Sequence, residues 1–362
     1  MTYPERKDCK NLSGSEPCAH NKKTRIPCSA CDHYVPLSFR ILIIKLGAAG
    51  DVVRSTPILH QLRKTYPGSE ITWVTDFPEL IPAAHVDRIL KYSWESSSFL
   101  SEEKFDLLLS LEKEKAPCAL TNKIDAKVKK GFFYSSSGKI LPIDDEAKRK
   151  WETGIDDGKM LQDTRHYVEE LFEICGHQWS GESYILPEFK KKRLLNKNCT
   201  VVGINPGAGR RWKTRVLNIK KIKELIDLLL STGNEVILLG GPEEDPMNKE
   251  LLKKYNVHYY GVNPIREFMN IVDNCDIIIT TVSMTLHLAI GLNKKTILLN
   301  NVFNKNEFYL YGNGFIIEPK LDCLACYKTL FDENCPVADC TLLYDIEEIY
   351  RSLESIRTQT SR

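Results

Sequence analysis

Residues 39–59 read FRILIIKLGAAGDVVRSTPIL. Phe39–Leu46 is an almost continuous aliphatic and β-branched run, the pattern of a strand buried on both faces of a sheet. Gly47-Ala48-Ala49-Gly50-Asp51 follows, and residues this small let the backbone approach a ligand closely. From Val52 to Tyr66 apolar residues recur at helical spacing (Val52, Val53, Ile58, Leu59, Leu62), with Pro57 near the helix start. Strand, small-residue loop and helix in that order predict one unit of a parallel α/β sheet. In such sheets ligands bind beyond the carboxyl ends of the strands.

The theme repeats on either side. Ile71–Thr75 (ITWVT) and Phe105–Leu111 (FDLLLSL) read as further strands of a first domain. The basic run Lys190–Arg193 and the polar Asn196-Lys197-Asn198 after it predict a linker. Then the pattern restarts: a strand at Cys199–Asn205, a turn at Pro206–Gly209 and an amphipathic helix at Ile219–Leu230. Strands at Glu235–Leu239, Asp276–Thr280 and Thr296–Leu299 continue it. The expected organisation is a Cys-rich segment at 1–37, α/β domains at 38–190 and 191–345, and a C-terminal helix or tail at 346–362. Two α/β halves joined by a short linker predict a ligand cleft between them.

The composition fits that size. The chain has 362 residues, 42% of them hydrophobic, enough for two cores. Its 50 Lys and Arg nearly balance 48 Asp and Glu, a net charge of +2. That excludes a disordered chain and a dedicated nucleic-acid binder with a strongly basic face. The opening MTYPERKDCK lacks the pattern of a secretory signal, and no apolar run reaches the roughly 20 residues of a membrane span. A soluble, cytoplasmic protein is expected.

The 12 cysteines are unevenly spread. Cys9, Cys18, Cys28 and Cys31 lie in a polar, proline-containing segment that cannot build an apolar core. The two-residue gap between Cys28 and Cys31 suits two thiolates on one tetrahedral ion, with His20 and His33 as spare ligands. Cys323, Cys326, Cys335 and Cys340 form a second cluster anchored by the same gap. In a reducing compartment such pairs read as metal ligands before disulfides. The alternatives are a loose tail of reduced thiols at the first cluster, and a disulfide pair or buried thiols at the second. Cys118, Cys175, Cys199 and Cys275 fall in expected core segments and read as small hydrophobes.

Three segments carry candidate chemistry. Gly50 and Asp51 stand where the first strand gives way to a helix, and a carboxylate there serves either as a helix cap or as a general base. Neither the G-x-G-x-x-G spacing nor a P-loop lysine is present. The second segment, Asn205-Pro206-Gly207-Ala208-Gly209 followed by Arg210, Arg211, Lys213 and Arg215, suits a diphosphate: backbone N–H groups meet the oxygens and cations neutralise them. A solvated basic turn is the alternative. The third places hydroxyls at Thr280, Thr281, Ser283 and Thr285 before an apolar helix, again a phosphate-binding arrangement. His287 lies about one turn into that helix, where a histidine is more often a hydrogen-bonded core group than a catalyst.

In this order the three segments resemble glycosyltransferase family 9, the ADP-heptose:lipopolysaccharide heptosyltransferases. The resemblance rests on IIKLGAAGDVVRSTPIL, the following YPGSEITWVTD, INPGAGRRWKTR and SMTLHLAIGLNKKTILL, and covers about residues 39–345. It implies a GT-B fold: two Rossmann-like domains, their parallel sheets facing an interdomain cleft, with acceptor bound mostly by 38–190 and nucleotide-sugar by 191–345. It implies inverting transfer from ADP-heptose or a similar donor to a lipopolysaccharide core or other surface glycan, with Asp51 as general base. Arg215 takes the place of a family lysine that contacts donor phosphates, with Lys213 nearby. Gly50, Asn205, Gly207, Ser283, Thr285 and His287 would surround the diphosphate, and no catalytic cofactor is required. Val282 and Met284 stand where the family has Asp and Gly, and Leu217-Asn218 where it has Trp-Pro.

Some members of the family resemble bacterial protein heptosyltransferases with an iron-binding finger. That implies structural zinc or iron at Cys323, Cys326, Cys335 and Cys340. The acceptor is then lipid-linked or a protein glycan, and Lys190–Arg193 is either a solvated linker or a contact with an anionic membrane surface. Other readings are a GT-B sugar-nucleotide epimerase or hydrolase, and a non-catalytic nucleotide-sugar-binding module.

Overall fold

The computed structural model of the chain describes residues 6–195, 199–207, 209 and 211–358. Asn196-Lys197-Asn198 of the expected linker, Ala208 and Arg210 of the glycine-and-cation loop, and 359–362 of the expected tail lie outside the described residues.

Among the described residues the strands make two six-stranded sheets. The first contains β1 (Arg40–Ile44), β2 (Glu70–Thr75), β3 (Arg88–Lys91), β4 (Lys104–Ser110), β5 (Asp125–Tyr134) and β6 (Ile140–Pro142), in the order β3-β2-β1-β4-β5-β6. The second contains β7 (Val201–Asn205), β8 (Glu235–Leu238), β9 (His258–Tyr259), β10 (Ile277–Thr281), β11 (Lys295–Leu299) and β12 (Gly314–Ile317), in the order β12-β11-β10-β7-β8-β9. β1 is central, as its composition demands: Ile43 lies beside Trp73 on one side and Leu109 on the other, and Ile41–Ile44 are fully buried.

Two expectations need correction. The first sheet is not wholly parallel, because β6 runs antiparallel to β5, with Phe133 opposite Leu141. A short turn containing Gly138, at φ +76°, joins them, and a connection this short can only reverse the chain. The expected single helix from Val52 to Tyr66 is two helices, Ala49–Ser55 and Ile58–Thr65. Pro57 separates them, having no N–H to continue the ladder.

One apolar core runs through both domains, joining Ile41, Ile43 and Trp73 of the first to Ile237, Ile278 and Leu288 of the second. A second core lies under the Ile219–Ser231 helix, where Leu225 and Ile226 meet Ile349 and Leu353 of the C-terminal helix, Ile346–Thr358. The expected linker is tied to the second domain: the N–H groups of Lys192 and Leu194 donate to the side-chain carbonyls of Asn270 (2.7 Å) and Asn274 (2.9 Å). Residues 6–37 bury no side chain. Among the described residues no helix is long and apolar enough to cross a membrane.

Candidate active site

Beyond β1 the chain turns over a buried ion pair. Lys45 Nζ lies 3.1 Å from Glu112 Oε1, and the same oxygen accepts from the N–H of Leu46 (2.6 Å) and Gly47 (3.1 Å). This pins the small-residue loop. The Ala49–Ser55 helix begins at Ala48 without a side-chain cap, so the helix-cap alternative for Asp51 is not realised. Its carboxylate instead meets Arg54 one turn on, Oδ1 to Nη2 2.9 Å.

The facing wall comes from the second domain. After β10, Ser283 starts the Met284–Gly291 helix, and its Oγ accepts from Asn205 Nδ2 at 2.7 Å. This helix packs against Ala49–Ser55 so tightly that a Cβ on Gly50 would sit 2.6 Å from the His287 ring. Glycine is therefore required at 50 by packing. The His287 ring is buried, and burial together with nearby Arg54 pushes its pKa down to about 3, leaving it neutral.

Between the walls lies a cavity of about 560 Å³, lined from both domains by Asp51, Arg54, Arg215, Ser283, His287 and Glu307. Arg54 crosses it: Nη1 reaches Glu307 Oε1 at 2.8 Å, and the guanidinium lies over the Tyr167 ring at 3.6 Å. Burial pushes the Asp51 carboxyl up, but Arg54 and Lys45 outweigh it and hold the pKa at about 2. Arg215 packs over Trp212 and Phe303, 5.5 and 5.4 Å from the ring centroids. Burial lowers its pKa to about 10, so it stays cationic. Lys113 also faces the cleft, its pKa pushed down to about 8 by burial and by Lys150. A carboxylate ionised at neutral pH thus faces a cation, a hydroxyl and a helix N-terminus across one cleft.

The sequence profile of glycosyltransferase family 9 (heptosyltransferase) matches residues 96–328, more than half of the chain. The chain belongs to this family. It is similar to lipooligosaccharide heptosyltransferase 2 of Haemophilus influenzae, 25% identical over 125 residues, which are 32% of this chain and 35% of that one. The match thus spans about a third of the length of that relative. Its fold is that of the glycosyl transferase family 9 structure from Veillonella parvula (TM-score 0.63, 17% identity, 88% of this chain and 97% of that one). It is likewise that of E. coli ADP-heptose lps heptosyltransferase II (TM-score 0.62, 15% identity, 88% and 100%). The expected GT-B architecture is therefore present.

Of the expected site residues of this family 9 chain, Gly50, Asp51, Arg215, Ser283 and His287 line the cleft. Four do not. Asn205 lies behind Ser283 and holds it, and Thr285 is buried within its helix. Lys213 is exposed outside the cleft lining. Gly207 faces Glu244, whose Oε1 would lie 2.1 Å from an added Cβ. That carboxylate accepts from the N–H groups of Gly241 (2.8 Å) and Gly209 (3.4 Å), so these glycine-loop amides hold a side chain of the protein itself. Val282 packs with Leu286, Phe303 and Phe308, which accounts for an apolar residue there.

Arg54 and Glu307 were absent from the expected set. Arg54 had a signal, its i,i+3 spacing from Asp51 on a helix. Glu307 had none, since it lies in a short turn, Lys305–Glu307, after β11.

All twelve cysteines are free thiols, so no disulfide forms at either cluster. Cys9, Cys18, Cys28 and Cys31 line one cavity of about 240 Å³; Cys323, Cys326, Cys335 and Cys340 line another of about 100 Å³. Among the described residues no group of three or more His, Cys, Asp or Glu side chains is arranged to hold a metal ion. A ligand set arranged for an ion is thus not formed at either cluster among the described residues. Cys118, Cys175 and Cys275 are buried as expected, whereas Cys199, just ahead of β7, is half-buried with its Sγ 3.4 Å from Glu235 Oε1.

Proposed function

We propose that this chain is an inverting glycosyltransferase acting on a nucleoside-diphosphate sugar. The acceptor hydroxyl gives its proton to the Asp51 carboxylate while its oxygen bonds to the anomeric carbon. The bond from that carbon to the diphosphate oxygen breaks, and the electron pair leaves with the diphosphate. Arg215, the Ser283 hydroxyl and the N-terminus of the Met284–Gly291 helix receive that charge. The supporting observation is the placement of Asp51 and of Arg215 with Ser283 on opposite walls of one cleft.

The names of its relatives favour ADP-heptose as donor and a lipopolysaccharide or lipooligosaccharide core as acceptor. A cytoplasmic site at the inner face of the membrane follows from that acceptor. Lys190–Arg193 is best read as a solvated linker, since Lys191 pairs with Asp273 at 3.1 Å and the segment is bonded to the second domain.

The test incubates the protein with a panel of nucleotide-sugars, with and without acceptor glycan. Acceptor-dependent nucleotide release supports transfer. Release without acceptor favours a hydrolase, a new sugar isomer favours an epimerase, and binding without turnover favours a binding module.

For the thiols, we propose that each set of four takes one structural zinc or iron ion, its cavity closing around the ion. The absence of any buried side chain in 6–37 supports this at the first set, because something other than an apolar core must order it. Less than about half an equivalent of zinc plus iron per purified chain would contradict both sites.

A further inference from the structure

The chain between β11 and β12 is a strap rather than a helix. The two strands are parallel neighbours, so the chain must return along the sheet between them, a path usually taken by a helix. Here residues 300–313 hold only the short turn Lys305–Glu307, and they reach across to the first domain. Tyr309 stacks on the His166 ring with centroids 4.8 Å apart, and the Tyr311 hydroxyl donates to the carbonyl of Glu182 at 2.8 Å. Asn304 makes two such crossings with one side chain. Its Nδ2 donates to the carbonyls of Met160 (2.8 Å) and Asp163 (2.9 Å). These lie at the C-terminal end of the Asp157–Gln162 helix, where backbone carbonyls run out of partners within the helix.

The same residue shapes the turn that follows it. Asn304 Oδ1 accepts from the N–H of Asn306 at 3.1 Å, and the N–H of Asn304 donates to the Tyr327 hydroxyl at 3.3 Å. That hydroxyl donates to Glu307 Oε2 at 3.2 Å, while Glu307 Oε1 holds Arg54 at 2.8 Å. Asn304 thus grips the first domain with its nitrogen and starts, with its oxygen, the turn that delivers Glu307. It is not part of the cleft lining. Arg54 and Asp51 sit on one helix and keep their contact independently of the second domain. Glu307 joins them only while its turn is held against the first domain. Without it, Arg54 is left to Asp51 alone, and an undivided opposite charge makes a carboxylate a weaker proton acceptor.

We propose that Asn304 is a positioning residue for the transfer step: its two bonds to Met160 and Asp163 hold the Lys305–Glu307 turn where Glu307 shares Arg54 with Asp51. The inference rests on the reading of Asp51 as the base. Asn304 and Glu307 then act as one unit, and residues that act as a unit are not additive when both are changed.

The experiment is a double-variant cycle. Asn304→Asp keeps the oxygen that starts the turn and removes both N–H donors. At saturating donor and acceptor its kcat should fall about 10-fold, as for Glu307→Gln, while ADP affinity read by calorimetry holds. The protein carrying both changes should also lose about 10-fold, not the roughly 100-fold of two independent effects. Amide hydrogen exchange gives a readout without turnover: it should quicken at residues 305–308 and 160–166 in Asn304→Asp. Asn304→Ser, whose hydroxyl can start the turn but is too short to reach the two carbonyls, adds no charge. It should show the same pattern, and it serves where the first variant does not fold.

Full turnover in both Asn304 variants, unchanged exchange at 305–308, or a loss near 100-fold in the double variant overturns the inference and leaves the base reading standing. Full turnover in Asp51→Asn overturns the base reading and this inference with it.

Discussion

Arg54 holds Asp51 with one nitrogen and Glu307 with the other, 2.9 and 2.8 Å away, and the two carboxylates belong to different domains. The charge that keeps the Asp51 carboxylate ionised is therefore shared with the opposite wall of the cleft. A carboxylate with a pKa near 2 is fully ionised at neutral pH but a poor proton acceptor. Glu307 draws part of the guanidinium charge away and so makes Asp51 more basic.

Glu307→Gln should leave Arg54 to Asp51 alone and slow transfer by about 10-fold, equivalent to roughly 1.4 kcal/mol of barrier. Donor affinity should hold. Unchanged turnover, measured at saturating donor and acceptor, would show that the shared arginine does not tune the base.

Asp51→Asn should reduce turnover by about 10²–10⁴-fold, the usual contribution of a general base. Nucleotide-sugar binding, read by calorimetry, should change little. In the wild type the carboxylate stays ionised down to about pH 2, so the rate should show no acid limb from Asp51 between pH 7 and pH 4. A limb in that range that vanishes in the variant would contradict the charge arrangement around Arg54.

His287 makes stability depend on acidity. Its pKa falls from an ordinary 6.5 to about 3 on folding, so below pH 6.5 the unfolded chain binds a proton that the folded chain refuses. The stability contributed by the neutral ring is complete above pH 6.5 and is lost progressively as pH falls toward 3. Thermal melts from pH 7.5 to 4.5 should show about one extra proton taken up on unfolding, and His287→Gln should remove it. Parallel melting curves for the two proteins would sink the assignment.

Gly50→Ala drives a methyl to within 2.6 Å of the His287 ring, with the Met284 backbone 3.6 Å away. Overpacking between two helices should cost about 1–3 kcal/mol. A lowered melting temperature with impaired transfer is expected. An unchanged melting temperature would mean that the two domains part more readily than their common core implies.

The local sequence already dictated most of the scaffold. β1, β7 and β10 are legible as short runs rich in aliphatic residues because a central parallel strand is buried on both faces. The small residues before Asp51 and the hydroxyls before Met284 marked two helix starts at sheet ends, where ligands bind. Edge strands such as β6 and β9 escaped notice, since a short half-exposed strand carries little periodic signal.

What needed the folded chain was every relation across the cleft. Glu307 meets Arg54 across 253 positions of sequence, and no spacing rule reaches that far. Gly207 reads as a phosphate cradle in the sequence, but Glu244 lies against it, and nothing local marks Asn301 as the side chain that joins Cys340 to the carbonyl of Thr214. Periodicity and loop chemistry are local properties of the chain. The charge that sets Asp51's basicity and the walls that define its cleft come from two domains brought together by one apolar core.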